Sequence, residues 1–189
     1  MGDRHAIVRA LKSIPVIELR GMLVRMVPLG DLAKNSPPDF LFTSGKPNRY
    51  NPDGIECVYF SENESTAHLE YAQQWTTLRA GRQPVVTYFA EVRLHRVLDL
   101  ACRKTLQNLK LTPYDLYKPW RGAEQPTVSQ MLGQTIAEHS NISAIRYRSV
   151  AAELAGKSGF NIVIYRNNVK RPNSLRILGP DRNSLGTWP

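Results

Sequence analysis

The sequence predicts an α+β fold, a single domain with a mixed, mostly antiparallel β core. Three observations carry that expectation. At 189 residues the chain suits one domain with a sizeable core and is cramped for two. Runs of β-branched and aromatic residues recur at 55–60, 85–92, 142–147 and 160–165, which is strand composition. These strands do not alternate regularly with long helices, as a parallel doubly wound sheet would require.

The elements follow in order. Residues 5–11 read as a short helix with Ala6, Val8 and Leu11 on one side, ended by Pro15. Residues 22–27 read as a strand with Arg25 set among Met, Leu and Val. A lone Arg there either projects to solvent at an edge or points into a cleft, where its planar fork suits phosphate or carboxylate. Residues 30–48 carry Pro37, Pro38, Gly45 and Pro47 without periodicity and form a long loop of the kind that often serves function. Asn51-Pro52-Asp53-Gly54 is a tight turn into the strand at 55–60. Ser61 and Glu64 then match a capping box, so a helix starts there. Ala67, Tyr71, Trp75 and Leu78 recur at helical spacing and give it one apolar stripe. Glu70 lies on the margin of that stripe. A carboxylate in such a place turns to water, pairs with a neighbour such as Arg79, or needs partners from elsewhere in the chain.

After a break at 81–84, the strand at 85–92 continues its alternation to His95, and a second apolar burst at 97–100 ends in Asp99 as a helix cap. Residues 102–110 make a short helix with Leu106 and Leu109 on one side, and 113–117 another with Pro in its first turn. Residues 118–126 are a loop. Thr127 caps a better helix, on which Val128, Met131, Leu132, Thr135, Ile136 and His139 share a face and Gly133 is a slight weakness. The strand at 142–147 leads to Ser149 and a brief helical segment at 151–155. The strongest strand, 160–165, is followed by turns at 167–173 and a last strand at 175–178, after which the tail lies loose on the surface. The division expected is an N-terminal extension at 1–20, a domain at 21–180 and a tail at 181–189.

Composition excludes several classes. No stretch approaches the ~20 apolar residues of a membrane span, and the early apolar run at 21–29 is broken by Arg25 and Pro28 and placed too far in for a signal peptide. Cys57 and Cys102 form no metal spacing and read as buried, reduced thiols of a cytoplasmic protein. The four histidines are dispersed, so no metal is expected. A net charge of +9 attracts anions, whether nucleic acid, a phosphate-bearing small molecule or an acidic partner.

Familiar motifs fail. Gly156-Lys157-Ser158 imitates a phosphate loop but Ala151 stands where a Gly is required, and there is neither a GxGxxG after a strand nor a GxSxG elbow. What holds is an ordered set: Arg25 in a strand, Arg49 after the loop, Tyr59 in the next strand, Glu70 in the next helix and Ser149 late in the chain. Asn48-Arg49-Tyr50-Asn51, Gly54, Val58-Tyr59 and the segment 67–70, then 144–149 and 161–164, resemble the RES domain family, named for its Arg, Glu and Ser, over roughly residues 20–180. The family's Gly-Arg-Trp-Asn appears as Asn48-Arg49-Tyr50-Asn51, and its Pro-Ser as Arg148-Ser149, which adds a positive charge. Arg20 offers an alternative register for Arg25.

The resemblance implies a fold similar to ADP-ribosyltransferase toxins and a toxin that takes NAD as substrate, cleaving the nicotinamide–ribose bond. The developing oxocarbenium ion suits a nearby carboxylate. On that reading Glu70 holds the ribose hydroxyls and the cation, Tyr59 stacks on nicotinamide, Arg25 and Arg49 grip the pyrophosphate, and Ser149 fixes orientation. The acceptor is water or inorganic phosphate, with a protein side chain as the alternative. An antitoxin that covers the cleft is the implied partner. Each residue also has a plainer role: Tyr59 as core aromatic, Arg49 as solvated turn residue, Ser149 as helix cap. A different class, a non-enzymatic basic nucleic-acid-binding module, is suggested by the charge and by aromatics interleaved with Arg, although nucleic acid is not the direct partner that the resemblance implies.

Overall fold

In the computed structural model, which describes residues 4–32, 41–43, 45–78 and 83–189, the α+β expectation holds. Helix α1 (Arg4–Ser13) leads to β1 (Ile17–Pro28) and a short α2 (Leu29–Leu32). Then come β2 (Cys57–Ser61), α3 (Glu64–Leu78) and the long β3 (Val85–Asp99). Three helices follow, α4 (Arg103–Leu109), α5 (Pro113–Tyr117) and α6 (Val128–His139). The chain ends with β4 (Ala144–Arg148), α7 (Val150–Leu154), β5 (Phe160–Tyr165), β6 (Ser174–Leu178) and β7 (Ser184–Trp188).

The strands run β1-β2-β5-β4-β3-β6-β7, and β1 also pairs with β3, so five strands close on themselves while β6 and β7 extend the sheet. The β3–β4 pairing is parallel and every other one is antiparallel. The two apolar bursts at 85–92 and 97–100 are a single strand, because β1 accompanies β3 from Val85 to Val97.

Alternation sorts side chains to two cores. Inside the closed strands lie Leu23, Val58, Phe60, Ala90, Ile162 and Ile164. On the opposite face Cys57, Ile145, Val163 and Tyr165 meet Leu106, Leu116, Leu132 and Ile136 from α4, α5 and α6. The division at residue 20 falls within β1, and α1 places Ile7 and Leu11 in the helix-side core, with Ile14 just beyond it. The first twenty residues are thus built into the fold rather than appended to it. Nor is the tail loose, since β7 pairs with β6 and Trp188 meets Phe42 edge-on with ring centroids 5.2 Å apart.

Local signals were displaced in a few places. Asn63, not Ser61, caps α3, its Oδ1 accepting from the Thr66 N–H at 2.9 Å. Asp99 caps no helix; it closes a turn through the Ala101 N–H and pairs with Arg146. The α4 N-cap is Cys102, which is exposed, whereas Cys57 is buried as expected. Thr127 with Gln130 does form a capping box. In the helix it caps, Gly133 faces the Tyr50 carbonyl and the Tyr165 hydroxyl, both of which an added Cβ would overlap. Pro37, Pro38, Arg79, Gly81 and the side chains of Trp75 and Leu78 lie outside the described residues. Among those described, no helix is long and apolar enough to cross a membrane.

Candidate active site

On the helix-side face of the sheet, β2, β5 and β4 lie next to one another, and their register sets Ser61 opposite Asn161 and Asn161 opposite Tyr147. One step along β2, Tyr59 faces the same side. This polar row ends the apolar pattern of the sheet and floors a cleft of about 620 Å³, within the usual size of ligand sites. Helix α3 forms one wall, packed against β1 and α7.

From that wall Glu70 reaches the polar row, half-buried. Its Oε1 accepts two short hydrogen bonds, one from Ser149 Oγ at 2.6 Å and one from Asn161 Nδ2 at 2.6 Å. Each donor is itself held. Ser149 is fully buried and its oxygen accepts from the Ala152 N–H at 3.0 Å, so it caps α7 and restrains Glu70 together. Asn161 Oδ1 accepts from Ser61 Oγ at 2.8 Å, which fixes the amide with its nitrogen toward the carboxylate. Glu70 Oε2 has no hydrogen-bond partner among the described residues.

Arg49 stands at the tip of a two-residue turn closed by Asn48 and Asn51, whose backbones exchange hydrogen bonds at 2.9 and 3.3 Å. That turn is bolted from several sides. Gln130 Nε2 donates to the Asn48 carbonyl at 3.0 Å and Tyr165 Oη to the Tyr50 carbonyl at 2.9 Å. Tyr59 Oη donates to Asn51 Oδ1 at 2.9 Å and accepts from the Tyr50 N–H at 3.0 Å. Burial pushes the Tyr59 hydroxyl well above its usual range, so it stays a neutral donor. Tyr59 is therefore both a core aromatic and a wall of the cleft. The Arg49 guanidinium is tethered to the Leu116 carbonyl at 2.8 Å.

Arg25 also lines the cleft and donates to the Leu41 carbonyl at 2.6 Å and the Tyr59 carbonyl at 3.4 Å. Arg20 is exposed and paired with Glu18 at 3.0 Å, outside the cleft, which favours Arg25 in the register left open by the sequence. Arg121 and Arg148 complete a set of four guanidiniums around one carboxylate, an excess of positive charge suited to an anionic ligand. Among the described residues no cluster of His, Cys, Asp and Glu could hold a metal ion.

The structure thus brings Arg25, Arg49, Tyr59 and Glu70 to one cleft, with Ser149 behind Glu70. Sequence reasoning gave Asn161 and Tyr147 no part in the site and read Ser61 only as a helix cap. A signal for the first was present, an Asn in second place in the most apolar strand of the chain, where Asn is disfavoured.

A family model described as RES domain matches residues 30–183. No curated protein sequence matches the chain. Among solved structures, the crystal structure of the M. tuberculosis MbcT–MbcA toxin–antitoxin complex is similar, with a TM-score of 0.62 over 93% of both chains at 16% identity. At that identity the likeness is one of fold.

Proposed function

The chain belongs to the RES domain family, and from that premise we propose that it is an NAD-consuming toxin that cleaves the bond between nicotinamide and ribose. The observation that carries this reading is the Glu70 carboxylate, fixed through one oxygen by Ser149 and Asn161 in a cleft lined by four arginines.

The reaction breaks the C1′–N1 bond; the electron pair leaves with nicotinamide and neutralises its pyridinium charge, while positive charge grows on the ribose. A preorganised anion beside that carbon stabilises the transition state more than the substrate. Glu70 supplies it, with Oε2 available to the ribose. Arg25 and Arg49 take the pyrophosphate, and the flat rings of Tyr59 and Tyr147 suit nicotinamide. Ser149 is enclosed and its proton is committed to Glu70, so its part is to position the carboxylate. Water or inorganic phosphate then captures the ribosyl cation, water losing a proton in doing so.

The test is nicotinamide release from NAD by the purified protein, with and without phosphate, repeated with Glu70→Ala. Turnover that depends on Glu70 supports the reading, and the phosphate dependence identifies the acceptor. Release that appears only when a protein substrate is added moves the assignment to ADP-ribosyl transfer. No release under any of these conditions from folded protein removes it. The toxin role further calls for an antitoxin, for which an acidic segment complements the +9 charge. Steeply salt-dependent affinity for RNA or DNA without NAD turnover would instead support the basic-module reading.

A further inference from the structure

Behind the cleft, between α4, α5 and the Arg49 turn, lies a second cavity of about 460 Å³. Its inner wall is Leu100, Leu106, Leu116, Tyr50 and Tyr147, all buried. Its mouth carries two exposed arginines, Arg103 and Arg148, and no Asp or Glu lines it anywhere. Neither guanidinium makes a hydrogen bond or ion pair among the described residues; Arg148 only overlies the Phe160 ring at 5.7 Å.

These features call for one kind of occupant. An apolar body fills the leucine-lined interior, and negative charge answers the two arginines. We infer that this cavity is a binding site for an organic carboxylate whose apolar body is the size of a medium-length acyl chain. An uncharged hydrocarbon would leave both arginines unanswered, and a cation would be repelled. Tyr117, Tyr147 and Arg148 wall both this cavity and the cleft, and the Leu116 carbonyl that borders it holds Arg49. Occupation therefore engages Arg148 and bears on the support of Arg49, so a bound carboxylate weakens the grip of the cleft on anions.

Decanoate is the probe, titrated calorimetrically into the full-length protein below its micellar range, with decanol as the uncharged control. Decanoate is expected to bind about 10-fold or more tighter than decanol, and Arg103→Glu to weaken it by a similar factor. Leu111→Trp, which fills the cavity from a half-buried position, is expected to abolish binding while thermal melting shows a folded protein. Equal affinity for decanol, or decanoate binding unchanged in Leu111→Trp, overturns the site. Binding is read directly, so this outcome is independent of the chemistry proposed for the cleft. The coupling rests on that proposal: with decanoate bound, KM for NAD is expected to rise by about 10-fold. An unchanged KM in protein that binds decanoate overturns the coupling, whereas absence of turnover without decanoate counts against the proposed reaction itself.

Discussion

Glu70 and the two groups that hold it set the terms at the scale of single residues. Glu70→Gln keeps an acceptor oxygen for Ser149 and Asn161 but removes the charge, so the fold should persist while nicotinamide release falls by a factor on the order of 100 or more. A melting curve beside the turnover assay separates the two effects. Asn161→Asp acts differently, since it replaces a donor with a second carboxylate against Glu70 Oε1. Two carboxylates in contact cannot both ionise easily, so one retains its proton. On the proposed reaction, turnover near neutral pH is expected to fall, and the acidic limb of the pH–rate profile to move upward relative to the native protein. An unchanged profile would mean that Asn161 does not govern the charge of Glu70. Glu70 itself was legible as a carboxylate on the margin of an apolar stripe. Ser149 was named beside it only through the family resemblance and Asn161 was given no part in the site, because the two are 79 and 91 residues away in sequence and meet Glu70 only through tertiary packing.

Among the elements, α3 and α6 show where local reading succeeds and where it stops. The Thr127 box was legible because every group it needs lies within one turn. At α3 the same pattern misled, since Ser61 belongs to β2 and is taken by Asn161. Asn63→Ala should accordingly cost about 1 kcal/mol in a denaturant melt and leave turnover near native, whereas Ser61→Ala should lower turnover without that cap penalty. Gly133 offers a sharper contrast. Helix propensity alone would have Ala stabilise α6 by up to about 1 kcal/mol. Contact with the Tyr50 carbonyl reverses the sign, because a rigid Cβ must displace the backbone of the Arg49 turn. Gly133→Ala is expected to destabilise by roughly 1–3 kcal/mol, or about 2–4 °C in Tm for each kcal/mol in a chain of this length. A rise in Tm would refute that close approach.

For the whole molecule, the fold class was legible from strand composition and the absence of regular βα alternation. The closed ring of strands was not, since the β1–β3 pairing joins segments that have α2, the long loop, β2 and α3 between them in sequence. Burial within this architecture raises Tyr59, Tyr147 and Tyr165 well above the ordinary tyrosine value of 10.0, and Tyr50 in the same direction. A raised folded-state pKa means that the native protein holds protons the unfolded chain has released. The resulting stability is complete below the unfolded value and is lost as pH rises above it. Each tyrosine contributes a slope of about 1.4 kcal/mol per pH unit there, so urea midpoints should be level up to pH near 10 and fall steeply beyond it. A flat response would show these hydroxyls to be hydrated. Ring closure has a further effect on colloidal behaviour. β7 ends the sheet with an open edge, while β1, paired along its length with β3, meets β2 only through Val24 and Ser61. An open edge is a template for another chain, and β7 offers one of only five residues that include Gly186. Ending the chain before Ser184 would hand that role to β6, whose Leu175, Ile177 and Leu178 would lose cover, and aggregation rather than unfolding would be the first symptom.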